Sequence, residues 1–162
     1  PAESVAPATA RLPRKSWRLA TCRQVTPRNT RTGGVLEAMV LPALTQGGYS
    51  FTVQVNIGKR LGIGRHFVDV IAEKDEQRTL ISLKWQQVSG TAEQKVPYEI
   101  ICLLEALETG EYSKAYLVLG GEGWRLRNYF VGSGLKKYLA YADKIEIVTL
   151  ESFVAKANSG KL

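Results

Sequence analysis

The chain has 162 residues, of which 44% are hydrophobic and 23% charged, and its formal net charge is +7. This composition is typical of one soluble globular domain and excludes disordered, fibrous and disulfide-stapled proteins. Cys22 and Cys102 belong to no metal-ligand cluster, and no apolar run is long enough to span a bilayer. We therefore expect a cytoplasmic protein of prokaryotic type with no membrane partner.

The positive charge is concentrated at the N-terminus. Residues 1–31 hold seven basic side chains and one acidic one, whereas residues 32–162 hold 15 basic and 14 acidic ones. The sequence thus predicts a basic arm over residues 1–31 and a single domain over residues 32–162. Basic arms that carry an aromatic residue commonly bind the nucleic-acid backbone, so Arg14, Lys15 and Arg18 beside Trp17 are candidate DNA contacts. A solvated tail that aids solubility is the alternative.

Beyond the arm, hydrophobic periodicity predicts alternating helices and strands in chain order. A helix over residues 32–48 precedes three strands able to form a meander, over 49–58, over 66–73 and from 79 onward. A helix over 97–110, a buried strand over 114–121, one or two short basic helices, a strand over 144–150 and a closing helix follow. A meander followed by a helical crossover predicts an α/β sandwich, in which helices flank a mixed sheet of about five strands.

Two neighbouring strands carry polar side chains that need an explanation. Asp69 stands mid-strand, and period-two alternation predicts that it shares a side with Phe67 and Ile71. The next strand presents three polar side chains on one face: Ser82, Lys84 and Gln86. In antiparallel neighbours Asp69 and Lys84 can approach each other. They form either a buried pair that neutralises itself, or a site where Asp69 binds a divalent cation and Lys84 positions a water for phosphodiester hydrolysis.

A helix carrying Glu37, a strand carrying Asp69, a second strand with Ser82, Leu83 and Lys84, then a helix and a buried strand resemble the PD-(D/E)XK nuclease superfamily. This restriction-endonuclease-like resemblance covers roughly residues 33–120. It implies that Asp69 and an acidic partner bind Mg²⁺, for which Mn²⁺ can substitute. It further implies that Lys84 assists the attacking water and that Glu37 lies near the metal. The expected substrate is DNA, in duplex form, and cutting both strands requires a homodimer or homotetramer.

The motif departs from the family pattern in two places. Val68 replaces the proline, and Ser82 replaces the acidic residue and cannot supply its negative charge. Some restriction enzymes of the superfamily have such a Ser-x-Lys element and carry the carboxylate on the following helix. Glu99, fifteen residues after Lys84, is the corresponding candidate, in the first turn of a helix predicted to begin at Pro97. Glu93, on the loop leading into that helix, is the competing metal ligand.

Several further residues are candidates for substrate contacts. Gln86 extends the polar face past Lys84 and is assigned to the catalytic wall. Thr91 and Lys95 are candidate phosphate contacts, the alternative being an ordinary turn that Thr91 caps. Arg60 and Arg65 are candidate base or backbone contacts. Among aromatic residues further on, we favour a solvated helix face over a DNA-contacting surface for four basic residues: Arg125, Arg127, Lys136 and Lys137.

The sequence thus favours a Mg²⁺-dependent DNA endonuclease of the restriction-enzyme type. A recombination or homing nuclease shares the expected fold and chemistry. A nucleic-acid-binding module of the same fold whose metal site has decayed is the alternative, supported by Ser82. A basic interaction protein of a different fold is the third possibility.

Overall fold

The computed structural model describes residues 34–132 and 134–162, except for the side chains of Leu36 and Glu37. The predicted basic arm lies outside the described residues. A π-helical turn, Leu36–Val40, leads into the first α-helix. The helices are α1 (Leu41–Gln46), α2 (Ala92–Glu108), α3 (Arg127–Val131) and α4 (Leu150–Asn158). The strands are β1 (Ser50–Arg60), β2 (Ile63–Lys74), β3 (Gln77–Trp85), β4 (Lys114–Gly120) and β5 (Ile145–Thr149), with 3₁₀ turns at Gly134–Lys137 and Ala142–Lys144.

The five strands form one mixed sheet in the order β1-β2-β3-β4-β5. β1, β2 and β3 are antiparallel neighbours, as expected for a meander joined by short turns. β3, β4 and β5 run parallel, so each connection between them must cross a face of the sheet. Helix α2 makes the first crossing. The segment that contains α3 and the two 3₁₀ turns makes the second.

Two separate hydrophobic clusters pack against the two faces of the sheet. On one face, Leu80 and Leu117 belong to the same cluster as Val96, Ile100 and Leu103 of α2. The other face packs against helices α1 and α4 through a second set of buried residues, which includes Leu44, Ile81, Tyr116 and Phe153. The predicted three-layer α/β sandwich with a five-stranded mixed sheet is confirmed.

Strands β1 and β2 are longer than the sequence predicts. The expected loop, residues 59–65, contained two glycines, but the strands continue to Arg60 and resume at Ile63. The remaining turn consists of Leu61 and Gly62, with φ of 49° and 72°. Two successive positive φ values are the mark of a type I′ turn, whose twist suits a tight hairpin.

The face of the sheet on which the buried side chains of β1 and β2 pack changes at one matched position. Val53 packs on the α1 and α4 side of the sheet, whereas Val55 packs on the α2 side. Their partners Val70 and Val68 divide in the same way. The predicted alternation around Asp69 was therefore wrong. The reversal coincides with Gln54, whose φ of 52° is left-handed.

Helix α2 begins at Ala92, five residues before the predicted start at Pro97. Pro97 lies inside the helix, where it lacks the N–H that would bond to the carbonyl of Glu93. Burial of Val96, Ile100 and Leu103 along the same helix face offsets that loss. Glu99 consequently lies beyond the first turn of α2, and Glu93 lies within it.

Within the described part of the chain, no helix combines the length and the apolar character needed to cross a bilayer.

Candidate active site

The candidate site lies where β2 and β3 stop pairing. Their register runs from Lys74 opposite Gln77 to Val70 opposite Ile81 and ends there. Asp69 is the next residue on β2, and its Oδ2 accepts a hydrogen bond of 2.7 Å from the backbone N of Leu83. The carboxylate therefore takes the acceptor place that a β2 carbonyl would fill if pairing continued.

Gln54 holds the other oxygen of the same carboxylate. Its Nε2 donates to Asp69 Oδ1 at 3.2 Å across the β1–β2 pair. Gln54 could not be singled out from the sequence, because strand alternation only places it on the polar side of β1 and gives it no partner. Its positive φ could not have been predicted, since a glutamine does not favour the left-handed region.

Beside Asp69, three side chains form a hydrogen-bonded cluster between β3 and α2. Ser82 Oγ donates to Glu99 Oε1 at 2.7 Å, and Lys84 Nζ donates to Ser82 Oγ at 3.0 Å. Lys84 Nζ also lies 3.1 Å from Glu99 Oε1, forming an ion pair whose side chains are 23% and 6% exposed. We call Ser82, Lys84 and Glu99 the β3–α2 cluster. Lys84 is paired with Glu99, and among the described residues it forms no ion pair with Asp69.

Burial and charge act in opposite directions on the two carboxylates. Burial raises the pKa of Asp69, and the hydrogen bond from Leu83 and the charge of Lys84 offset this only in part. Burial also acts to raise the pKa of Glu99, but Lys84 and Ser82 outweigh it and hold that pKa below its usual range. The negative charge of Glu99 contributes to the raised pKa of Asp69. The site therefore has more carboxylate charge than a single lysine neutralises.

The two other candidates near the N-terminus of α2 have structural partners. Gln86 is buried, its Nε2 donates to Gly123 O at 2.7 Å, and its Oε1 accepts from Ala92 N at 3.0 Å. Glu93 Oε1 accepts hydrogen bonds from the backbone N atoms of Arg125 and Leu126. Both side chains fasten the loop after β4 to α2. The catalytic role of Gln86 and the metal role of Glu93 stay predictions.

The remaining predicted contacts are spread over the hairpin and α2. Arg60 places its guanidinium carbon 5.9 Å from the ring centroid of Tyr98, and Arg65 is exposed. Thr91 precedes α2 without a side-chain cap bond, and Lys95 is exposed in its first turns. Arg14, Lys15 and Arg18 lie outside the described residues, as does the side chain of Glu37. Their assigned roles stay predictions.

The chemistry of the site suits a hard cation. Asp69 and Glu99 supply carboxylate oxygens, the ligands that Mg²⁺ prefers, and Mg²⁺ completes its octahedron with water and phosphate oxygens. No group of three or more His, Cys, Asp or Glu side chains able to hold a metal ion occurs in the part of the chain that the structure describes. Two carboxylates fit a magnesium site, since one or two are the usual number.

Comparison with known proteins identifies a family for the chain. The family model of the PD-(D/E)XK nuclease superfamily domain matches residues 28–161. No curated protein matches the chain. One similar solved structure is the crystal structure of a protein of unknown function, AF1548, which is 16% identical, with a TM-score of 0.44. The match covers 68% of this chain and 54% of that one. On the strength of the family match, the chain belongs to the PD-(D/E)XK nuclease superfamily.

Proposed function

We propose that the protein is a Mg²⁺-dependent DNA endonuclease in which Asp69, Glu99 and Lys84 form the catalytic site. Membership of a nuclease superfamily supports phosphodiester hydrolysis on a nucleic acid. The observation that carries the finer proposal is the β3–α2 cluster, since Glu99 brings a carboxylate to the serine that replaces the acidic residue of the motif. The charge missing at Ser82 is thus supplied from α2.

Asp69 and Glu99 are the residues that would hold the metal. Leu83 N and Gln54 Nε2 fix the orientation of the Asp69 carboxylate, and each occupies only part of the lone-pair capacity of its oxygen. Ser82 and Lys84 both contact Glu99 Oε1, and no hydrogen bond to Oε2 occurs among the described residues. When bound, Mg²⁺ would polarise the scissile phosphate and lower the pKa of a coordinated water.

Lys84 is suited to orient the attacking water. An ammonium group has three N–H donors, and two of them face Ser82 Oγ and Glu99 Oε1. The third donor is available for a water or a phosphate oxygen, since the side chain is 23% exposed. Attack of the water oxygen on phosphorus breaks the P–O3′ bond and leaves a 5′-phosphate and a 3′-hydroxyl.

The alternative of a decayed binding module rested mainly on Ser82. A lost metal site would leave Ser82 and Lys84 without a nearby carboxylate, whereas Glu99 lies 2.7 Å from Ser82. This placement favours an active nuclease. It leaves open a role in restriction, recombination or homing, which share this chemistry. We keep the proposal that two copies of the chain are needed to cut both strands of a duplex.

Cleavage of supercoiled plasmid in Mg²⁺ or Mn²⁺ tests the proposal. We expect Asp69→Asn, Lys84→Met and Glu99→Gln each to lower the cleavage rate at least about 100-fold, as loss of a metal ligand or proton-transfer group does. Glu146→Gln is the matched control because Glu146 pairs with lysines on a different part of the sheet. Glu93→Gln decides between the two candidate carboxylates of α2, Glu93 and Glu99.

Two outcomes would overturn the proposal. Binding of DNA with no cleavage in either metal would replace the nuclease with a binding module. Cleavage that survives in Glu99→Gln but is lost in Glu93→Gln would move the second ligand to Glu93. Circular dichroism of each variant separates lost chemistry from lost folding.

A further inference from the structure

A second surface, on the crossing between β4 and β5, combines exposed tyrosines with lysines. The 3₁₀ turns Gly134–Lys137 and Ala142–Lys144 belong to this crossing. Tyr138 is 75% exposed and Tyr141 is 64% exposed, which is unusual for large aromatic side chains. These two tyrosines and the exposed lysines of both turns form what we call the basic–aromatic loop. Its members are Lys136, Lys137, Tyr138, Tyr141 and Lys144.

The charge of the domain is concentrated in this part of the chain. Between residues 125 and 144 there are five basic side chains and one acidic one, whereas the rest of residues 34–162 holds ten basic and 13 acidic ones. Within the described residues, none of these five cations lies within 4 Å of a carboxylate, and the four ion pairs all lie elsewhere. A solvated helix face normally mixes both signs of charge, so the one-sided charge of this surface favours the alternative of a nucleic-acid-contacting surface.

The rings are held outward by the fold around them. Leu135 and Ala142 are buried in the cluster under α2, and they anchor the two turns on either side of the tyrosines. Tyr138 N donates to Leu135 O, and Lys144 N donates to Tyr141 O, both at 3.0 Å. Tyr141 adopts a left-handed φ of 61°, a costly conformation for a residue other than glycine.

The crossing also begins beside the candidate active site. β4 ends at Gly120, opposite Trp85, which directly follows Lys84 on β3. The segment after β4 is then hydrogen-bonded to two residues near this edge. Gln86 Nε2 donates to Gly123 O, and Leu126 N donates to Glu93 Oε1. From there the chain runs over the α2 face to Ile145, opposite Ala115 at the other end of β4. The lysine-rich crossing thus extends away from the edge of the sheet that carries Lys84.

We propose that the basic–aromatic loop binds a single-stranded segment of the nucleic-acid substrate. Exposed tyrosine rings offer faces on which unpaired bases stack, and the neighbouring lysines neutralise the phosphates between them. In a duplex the faces of the bases are covered by the neighbouring base pairs. Exposed tyrosine rings therefore cannot stack on them, and duplex binding gains little from these side chains. The inference rests on the proposed function and narrows its substrate to DNA that has a single-stranded portion.

Binding to labelled oligonucleotides tests the inference with the full chain. Fluorescence anisotropy compares a 20-nucleotide single strand with the duplex of the same sequence, in EDTA so that no cleavage occurs; this length is about one or two typical single-strand site sizes. We expect Tyr138→Ala with Tyr141→Ala to weaken single-strand binding at least about tenfold and duplex binding much less. The matched control is Tyr138→Phe with Tyr141→Phe, which keeps both ring faces and should bind the single strand as the unmodified protein does.

The lysines provide a second, independent arm. Lys136→Gln with Lys137→Gln should weaken single-strand and duplex binding alike and lower the salt dependence of both, because phosphate contacts release counterions. Lys161→Gln, exposed at the C-terminal end, is the charge-matched control. Equal single-strand affinity of the Ala and Phe pairs, or no preference of the unmodified protein for the single strand, would overturn the inference. Because binding in EDTA does not depend on catalysis, failure of this surface and failure of the proposed nuclease give different results.

Discussion

Two lysine–glutamate clusters lie on opposite faces of the same sheet, and they differ in charge balance and burial. In the β3–α2 cluster one lysine faces Glu99, and Asp69 lies nearby, so carboxylates outnumber lysines. On the other face, Lys114 and Lys156 both pair with Glu146, so lysines outnumber carboxylates. We call the latter the β4–β5 cluster; Lys114 also donates to the hydroxyl of Tyr116.

The β4–β5 cluster is what structural stability alone would select. Its charged side chains are 33% to 39% exposed, so they stay partly hydrated and their desolvation penalty is small. Glu99 is only 6% exposed, and desolvation raises the pKa of the half-buried Asp69. Buried carboxylate charge in excess of its lysine costs stability, so it needs a functional reason. A cation-binding site supplies that reason.

Removing one lysine from each cluster should give the largest contrast in stability. Lys84→Met leaves Glu99 buried without its cation and should lower the free energy of unfolding by about 3 kcal/mol. Lys156→Met leaves Glu146 paired with Lys114 and should cost less than about 1 kcal/mol. Urea denaturation followed by circular dichroism measures both. Equal costs would mean that the β3–α2 cluster is as well solvated as the other.

Removing the carboxylates should shift stability in opposite directions. Burial raises the pKa of Asp69 in the folded state, so its contribution to stability is full below the unfolded pKa and is lost as pH rises through the folded pKa. Asp69→Asn should therefore melt a few degrees higher than the unmodified protein at pH 7 without metal, while losing cleavage. The difference should vanish below about pH 4, where both states are protonated.

Glu146 should behave in the reverse way. Burial acts to raise its pKa, but hydrogen bonds from Lys156 and Lys114 outweigh burial and lower it. Its contribution is present above the unfolded pKa and is lost as pH falls through the folded pKa. Glu146→Gln should melt slightly lower than the unmodified protein at pH 7 and equally at acid pH. Melting curves in EDTA from pH 3 to pH 8, about the range of carboxyl titration, measure both variants. A lower melting temperature for Asp69→Asn at pH 7 would show that its carboxylate is fully compensated without a cation.

The order of elements could be predicted because each has a clear period. The continuous apolar run of β4 and the alternation at the start of β1 gave the correct layers. The start of α2 was mispredicted because a local rule about residues before proline ignored the buried face around Val96. Only packing, which sequence does not display, decides such a conflict.

The site was predictable in composition and not in pairing. Asp69, Ser82, Lys84 and Glu99 were candidates because polar residues on buried strands need partners. Which of them pair depends on where β2 and β3 separate, and on the reversal of faces at Gln54. Neither the end of the strand pairing nor the change of face can be recognised from residue types. The sequence therefore suggested an Asp69–Lys84 pair where the structure has Lys84 beside Glu99.

Variants of Gln54 distinguish two contributions of this residue: the hydrogen bond from its side-chain amide to Asp69, and its left-handed backbone conformation. Gln54→Met keeps the left-handed strain and a side chain of similar length but removes the donor to Asp69; Gln54→Gly removes the donor and the strain together. If the amide orients Asp69 for metal, both variants should lose plasmid cleavage equally, by about tenfold, as loss of a group that supports a metal ligand does. Gln54→Gly should nevertheless be more stable than Gln54→Met by about 1 kcal/mol, because only glycine adopts this φ freely.

Tyr116→Phe, which removes a hydrogen-bond partner from the β4–β5 cluster, should leave cleavage unchanged. Cleavage measured against Mg²⁺ concentration, beside thermal melting, decides the matter. Activity that followed stability across the two variants would make Gln54 a structural residue, and activity that followed the amide would make it a positioning residue of the site.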